Sequence, residues 1–302
     1  MKHAFLINAH NNFNVLKVLL SQLSHKDFDI YIHVDAKTKT LPKEMLLASV
    51  KNASINFIER MNVAWGEYSN VKSIIALMTA ASKSYHDYYH VISGADLMLV
   101  TPDEFIKFFE NNRGFEFVGF SKTFNEDLYR YRHYFRAKAR SKSPSVGLMF
   151  ARIHKLLIII QKVFGLAVDV KYDVVKKGAD WYSVTHEAVK FIIQEEPTFR
   201  KYFYRASTPT EFLPHTILYN SDFRDRIYQP QPYTEGAACL RYIDWDRGQP
   251  YTFTINEKEE LLSVKGYIFA RKFDENIDMD IVKAVSNAVS LKRIAGNPEE
   301  ML

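Results

Sequence analysis

Polar side chains follow several short apolar runs in the first 120 residues of this 302-residue chain. His10 follows AFLINA, Asp35 follows IYIHV, and Asp96 follows YYHVISGA. In an open α/β sheet, ligands bind outside the carboxyl ends of the strands. The residues at these positions are therefore the first candidates for a ligand-binding site. They are His10, Asn11, Asp35, Lys37, Arg60 and Asp96.

The elements that would position these side chains alternate between strand and helix patterns. Five runs are short, apolar and rich in β-branched and aromatic residues, as strands are. They span 4–10, 30–35, 55–59, 88–96 and 115–120. Helical spacing of apolar residues predicts helices over 14–23 and 71–81, and Thr101 is the predicted N-cap of a helix that begins at Pro102. We therefore predict an α/β fold with a Rossmann-like, mostly parallel central sheet flanked by helices on both faces.

The composition is that of a globular protein. It is 47% hydrophobic and 25% charged with a net charge of +5, which excludes a disordered or collagen-like chain. Cys239 is the only cysteine, so an intrachain disulfide and a Cys-rich zinc site are both excluded. The N-terminus has no signal-peptide pattern, and no uncharged apolar run of about 18 residues is present. These features predict a soluble protein of the cytoplasm.

The region from 121 to 180 differs from the rest of the chain in charge. No acidic residue lies between Asp127 and Asp169, whereas nine Lys or Arg residues do. They include Arg130, Arg132, Arg136, Lys138 and Arg140. A helix predicted over 153–166 is either a core helix flanked by solvated basic loops or part of a surface that docks on an anionic membrane. Nucleic-acid binding is not expected, because no known binding module surrounds the charge.

Several phosphate-binding and catalytic motifs are absent. The chain has no G-x-G-x-x-G, no G-x-x-x-x-G-K-[ST], no G-x-S-x-G and no H-E-x-x-H sequence. Two D-x-D strings occur, at 244–246 and 278–280. Many nucleotide-sugar transferases hold a divalent cation with a D-x-D that follows a central strand. Both strings here come too late in the chain for that position, so we interpret them as not binding metal.

Taken in order, five segments resemble glycosyltransferase family 14, which contains the core-2/I-branching β-1,6-N-acetylglucosaminyltransferases and the peptide xylosyltransferases. The segments are AFLINAHNN (4–12), IYIHVDAKT (30–38), VAWGEYS (63–69), YYHVISGADLML (88–99) and PTEFLPHTILYNS (209–221). RYIDW and FARKFD follow them. The resemblance covers most of the chain and is weakest between about 121 and 175. It implies a bacterial member of the family, because no N-terminal anchor like that of the Golgi members is found.

The resemblance implies an inverting, metal-independent transferase of GT-A-like fold that uses a UDP-sugar. Arg241 and Lys272 match basic positions that neutralise the departing diphosphate, with Arg271 adjacent. Such cations stabilise the negative charge that develops in the transition state. Glu211 matches the family's general base, although this chain has Thr210 where the family has an acid, which puts the tuning of its environment in doubt.

The resemblance also implies the remaining contacts. Asp35 matches a nucleotide-binding position, with Lys37 and His10 close by. Trp65 and Gly66 are expected at the donor, where the glycine allows close backbone approach. Three further residues are expected to contact donor or acceptor sugar: Tyr68 in the same segment, Asp96 through hydrogen bonds to hydroxyl groups, and Trp181 as an aromatic platform.

We therefore expect one continuous domain in three parts. They are a nucleotide-sugar-binding half (1–120), a basic and partly helical insertion (121–180), and an acceptor-binding and catalytic half (181–302). The expected donor is UDP-N-acetylglucosamine, with UDP-xylose and UDP-galactose as alternatives, and the acceptor is a glycan of a surface polysaccharide, free or on a lipid carrier. No cofactor is expected. The alternatives from other classes are a non-catalytic glycan- or nucleotide-binding protein and a membrane-docking protein. The expected location is the cytoplasm, either free or in peripheral contact with the anionic inner face of the plasma membrane.

Overall fold

The protein is described by a computed structural model over residues 1–122, 144–166 and 170–296. Its centre is a five-stranded sheet, beside which lies a smaller sheet of three strands. The strands are β1 (His3–Ala9), β2 (Phe28–Val34), β3 (Ser54–Phe57), β4 (Tyr88–Ser93), β5 (Leu97–Met98), β6 (Tyr182–Thr185), β7 (Arg241–Ile243) and β8 (Phe269–Arg271).

Helices connect most of the strands. They are α1 (Phe13–Gln22), α2 (Lys43–Ala48), α3 (Tyr68–Ala81), α4 (Pro102–Asn111), α5 (Pro144–Val163), α6 (His186–Phe203), α7 (Leu213–Tyr219), α8 (Glu235–Cys239), α9 (Lys258–Ser263) and α10 (Met279–Gly296). Short 3₁₀ turns span Pro209–Glu211, Asp222–Arg226 and Ile255–Glu257. Within the described ranges, no helix is both long and apolar enough to cross a membrane.

The strand order of the large sheet is β3-β2-β1-β4-β6. The first four strands are parallel, and β6 runs antiparallel to β4 at the edge. The small sheet has the order β5-β8-β7 and carries the segment that ends at Arg271. The predicted α/β class with a mostly parallel sheet is therefore confirmed.

Alternating side chains of the strands build one core on each face of the large sheet. On one face Phe5 and Ile7 pack with α1 and α10, and on the other Leu6 packs with α3 and α6. This alternation follows from the two-residue period of a strand, and it explains why helices cover both faces. The two cores fix the strand ends relative to each other, and the strand ends position the candidate site.

Local signals in the sequence locate α4 correctly. The Thr101 hydroxyl accepts a hydrogen bond from the Glu104 amide at 3.2 Å, and the Glu104 carboxylate accepts one from the Thr101 amide at 2.8 Å. This capping box, followed by Pro102, satisfies amide groups that the first turn of a helix leaves unpaired. Such a cap stabilises a helix by about 1 kcal/mol.

The predicted strand over 115–120 is wrong. Glu116 and Phe117 each form an isolated bridge, the first with Ile227 and the second with Ser183. The segment has the apolar alternation of a strand, but each partner offers it a single residue, so no ladder extends from these bridges. The proposed division at 120 and 180 stays a prediction, and the basic residues from Arg130 to Arg140 lie outside the described residues.

Candidate active site

A cavity of about 930 Å³ lies at the carboxyl ends of β1 and β4. His10 and the asparagines around it follow β1, and Ser93 to Ala95 follow β4. Asn8 and Asn12 each have a buried Oδ1 that has no hydrogen-bond partner among the described residues. Buried polar atoms are normally paired, so these oxygens are available to a ligand. The strand ends thus supply polar groups to the cavity, as the sequence predicts for His10.

The segment Lys177–Trp181 forms another part of the cavity wall. The Ser121 amide donates to the Lys177 carbonyl at 2.8 Å, and the Gly178 amide donates to the Glu211 carbonyl at 2.9 Å. A Cβ atom on Gly178 would lie 1.8 Å from the Gly119 carbonyl oxygen, so only glycine fits at this position. This close approach brings the wall segment against the turn that carries Glu211.

Glu211, the predicted base, lines the cavity. It ends the 3₁₀ turn that begins at Pro209, and the residue before that turn, Thr208, donates its amide to the Gly66 carbonyl at 3.0 Å. The Glu211 Oε2 atom lies 2.7 Å from the Lys177 Nζ atom. Because both side chains are only partly buried, this ion pair orients the carboxylate without removing it from the cavity.

Two further carboxyl groups lie near Glu211, and sequence reasoning missed both. Burial and, to a lesser extent, the charge of Glu211 raise the pKa of Asp180 to about 7, while a hydrogen bond from Thr210 acts in the opposite direction. Burial likewise raises the pKa of Glu235 to about 7. The Oδ1 atom of Asp180 is buried and has no partner among the described residues. The acid that the family has at position 210 is absent, but neighbouring acids come from other segments.

Arg271 lines the cavity as predicted and is held rigidly. Its Nη1 atom donates to Asp96 Oδ1 at 2.7 Å and to Ser93 Oγ at 3.0 Å. Its guanidinium carbon lies 3.4 Å from the centroid of the Trp181 ring, at a distance typical of a cation–π contact. These contacts fix the direction of the guanidinium group before any ligand binds.

Asp96 does not occupy the position that the sequence predicted. Its side chain is fully buried, and its oxygens accept hydrogen bonds from Arg271, from the Ser93 hydroxyl and from the Ser93 amide. The carboxylate is therefore used inside the protein and positions Arg271. Trp181, the predicted platform, lines the cavity but gives one face to Arg271.

Lys272 and His10 lie at the same part of the cavity as Arg271. No ion pair of the Lys272 ammonium group is found among the described residues, although its charge is close enough to act on the Asp274 carboxyl group. Burial lowers the pKa of His10, Asp35 raises it, and Lys272 and Lys37 lower it. This part of the cavity is therefore cationic.

Arg241 is placed in the core and not at the cavity. Its guanidinium donates to Ser183 Oγ, to the Tyr182 carbonyl and to the Cys239 carbonyl, and it lies 5.0 Å from the Phe269 ring centroid. Burial lowers its pKa to about 10. A contact with a departing diphosphate, as the resemblance implies, does not match this position.

The remaining predicted donor residues are divided between cavity and core. Trp65 lines the cavity and is 58% exposed, and Gly66 beside it has a φ of 78°. Tyr68 is buried and donates its hydroxyl to Glu196 at 2.8 Å, so it packs in the core instead of facing a sugar. Asp35 and Lys37 are not among the residues that line the cavity. Asp35 accepts a hydrogen bond from the Lys37 amide at 2.9 Å and pairs with the Lys37 ammonium group at 3.4 Å.

Trp245 also lines the cavity, although the D-x-D string that contains it was interpreted only as not binding metal. All three tryptophans of the chain thus face one cavity. Asp244 accepts hydrogen bonds from the Asp246 and Arg247 amides and pairs with the Arg247 side chain. In the part of the chain that the structure describes, no three His, Cys, Asp or Glu residues are grouped to hold a metal ion. Metal independence stays a prediction.

The model of the Core-2/I-Branching enzyme family matches residues 3–263. The chain therefore belongs to this family, and the resemblance recognised in the sequence is confirmed. The chain is 21% identical over 282 residues to a xylosyltransferase of Ciona intestinalis, covering 88% of the chain and 31% of that protein. Human xylosyltransferase 1 is 23% identical over 314 residues, with coverages of 98% and 31%.

The chain thus spans about a third of the length of these curated relatives. Among solved structures, mouse xyloside xylosyltransferase 1 in its apo form aligns with a TM-score of 0.41 at 9% identity, over 89% of this chain and 96% of that one. Core-mannan synthase A of Aspergillus fumigatus aligns with a TM-score of 0.37 at 10% identity, over 73% and 71%.

Proposed function

We propose that the protein is an inverting, metal-independent glycosyltransferase of GT-A-like architecture. It transfers a sugar, N-acetylglucosamine in the first instance, from a UDP-sugar to a hydroxyl group of a glycan acceptor. The observation that carries this proposal is one cavity with a cationic wall at Arg271 and Lys272 and a carboxyl cluster at Glu211, Asp180 and Glu235. A transfer with inversion requires both kinds of group.

The cationic wall suits the leaving group. As the bond between the sugar and the diphosphate breaks, the electron pair and negative charge move onto UDP. Arg271 is already oriented by Asp96 and Ser93, so no reorganisation is needed when this charge appears. Lys272 adds a second charge. Basic side chains would then take the part that a divalent cation has in other transferases, and no cofactor is required.

The carboxyl cluster suits the attacking hydroxyl group. The acceptor oxygen attacks the anomeric carbon from the face opposite to the diphosphate, and its proton passes to a carboxylate. We assign that base to Glu211, which is partly exposed at the cavity and oriented by Lys177. A pKa raised by burial to near 7 is the property that a general base needs, and this favours Asp180 as the second candidate for the same role.

The donor sugar and the acceptor belong to the same proposal. UDP-xylose is the first alternative donor, because the curated relatives described above are xylosyltransferases, and UDP-galactose is the next. Trp65 and Trp245 are each more than half exposed, and their ring faces suit the C–H faces of pyranose rings in an acceptor glycan. A glycan on a lipid carrier fits as well as a free one. The single, buried cysteine supports a cytoplasmic location.

The test is UDP release from UDP-N-acetylglucosamine, UDP-xylose and UDP-galactose, with a mixture of simple glycan acceptors and with or without EDTA. We expect that UDP is released from one of the three donors and that EDTA does not lower the rate of this release. Loss of activity in EDTA would overturn metal independence. A non-catalytic binding protein would bind UDP but would release no UDP from any of the three UDP-sugars. The variant Glu211→Gln would then be as inactive as the unaltered protein.

A further inference from the structure

Helix α5 and the turn after it expose more apolar surface than any other segment that the structure describes. Of the nineteen large hydrophobic residues that are exposed within the described ranges, ten lie between 146 and 166. Leu156 is 57% exposed, Val163 73% and Phe164 71%. Exposed hydrophobic residues that are scattered singly over a surface are normal. A contiguous apolar patch of this kind instead marks an interaction site.

Five of the exposed apolar residues of α5 share one face of the helix. Met149, Ile153, Leu156, Ile160 and Val163 follow each other at alternating spacings of four and three residues. This spacing gives a continuous stripe along one side of an α-helix. Gly147 and Gln161 are buried on the opposite side of the helix, so the stripe faces outward.

The charge beside this stripe is of one sign. Arg152, Lys155 and Lys162 are on the exposed part of α5, and the sequence has no acidic residue between Asp127 and Asp169. A second copy seated on the same face would bring these cations against their equivalents, with no carboxylate from α5 to pair with them. An anionic surface would satisfy both the apolar stripe and the positive charge.

We propose that α5 docks flat on a bilayer that contains anionic phospholipid. The apolar stripe enters the boundary between headgroups and acyl chains, and the basic side chains contact the phosphates. Since no described helix can span a bilayer, α5 lies along the surface. This inference uses a surface apart from the cavity and does not depend on the proposed function.

The experiment is co-sedimentation of the full chain with vesicles of phosphatidylcholine alone or mixed in equal parts with phosphatidylglycerol. We expect binding to the mixed vesicles that weakens as salt is added. The double variant Leu156→Glu/Ile160→Glu should lower the ratio of bound to free protein by about tenfold or more. The matched control is Ile277→Glu, since Ile277 is 61% exposed but far along the chain from α5. The ratio of bound to free protein for this control variant should stay within about twofold of that for the unaltered protein.

A second variant tests the charge separately. Lys155 and Lys162 are seven residues apart on one flank of α5, and each lysine near an anionic surface contributes about fivefold to binding. Lys155→Glu/Lys162→Glu should therefore weaken binding to mixed vesicles strongly while the melting temperature stays unchanged. Equal binding to both vesicle types, or full binding by either double variant, would overturn the proposal. So would a dimer in light scattering that Leu156→Glu/Ile160→Glu converts to a monomer.

Discussion

The two walls of the cavity hold their charges in opposite ways. At the cationic wall, Arg271 is paired with Asp96, bonded to Ser93 and stacked on Trp181. At the carboxyl cluster, Lys177 pairs with Glu211, while Asp180 keeps an unpartnered oxygen and has a pKa near 7. A fixed charge suits the stabilisation of a leaving group, whereas a group that titrates near neutral pH suits the movement of a proton.

The largest expected effect is on the proton-accepting side. Glu211→Gln should lower kcat by about 1,000-fold while UDP binding is kept, because a general base contributes about 10² to 10⁴ to the rate. The measurement is UDP release beside a UDP titration. Asp180→Asn is the matched variant, and it should cost less. If Asp180→Asn abolishes turnover and Glu211→Gln does not, the base is Asp180.

The next effect separates the two arginines that the sequence could not distinguish. Arg271→Met combined with Asp96→Asn, which leaves no unpaired carboxylate in the core, should lower kcat by about 100-fold with little change in melting temperature. Arg241→Met should instead cost about 3 kcal/mol of stability, since buried acceptors lose their charged donor. If Arg241→Met lowers kcat at a temperature where the variant stays folded, the prediction that Arg241 contacts the diphosphate would be supported after all.

A smaller effect concerns pH and stability. The pKa values of Asp180 and Glu235 are raised to about 7 in the folded protein. At low pH both acids are protonated whether the chain is folded or not, so the stabilisation from their raised pKa is fully present below their ordinary pKa values. It is lost as the pH rises through about 7. The melting temperature should fall between about pH 4 and about pH 7 and level off above that, and Asp180→Asn/Glu235→Gln should reduce this fall. An unchanged slope in the double variant would contradict the assigned burial.

The smallest effect is on acceptor binding. Trp245→Ala should raise KM for a glycan acceptor by about fivefold and leave kcat nearly unchanged, because stacking on one exposed ring contributes about 1 kcal/mol. Tyr85→Ala is a suitable control, since Tyr85 is 62% exposed and lies outside the cavity lining. An equal change in both variants would argue against stacking at Trp245.

Much of the sheet and one wall of the site could be predicted from the sequence. Apolar alternation located β1 to β4, and the N-cap residue Thr101 before Pro102 located α4, because these signals act over a few residues. The cavity at the ends of β1 and β4 follows from the parallel topology. The wall at Lys177 depends on a contact between Gly178 and Gly119, residues that are distant in the chain, and no local pattern indicates it.

The assignment of individual side chains failed for a related reason. Arg241 and Arg271 both lie in short apolar strands of the small sheet, so their sequence surroundings are alike. Only the direction of each side chain decides that one enters the core and the other the cavity. Asp96 and Tyr68 were predicted at the ligand because of their motifs, but each has a buried partner inside the protein, Arg271 for the first and Glu196 for the second.

The placement of Trp65, Trp181 and Trp245 around one cavity has an optical consequence. With no other indole in the chain, the whole tryptophan emission of the protein originates at the candidate site. Trp181 stacks on a guanidinium group, and the other two rings are more than half exposed to water, so the three should emit at different wavelengths. Quenching by UDP and a spectral shift on adding a glycan would then report the occupancy of each part of the cavity without any label.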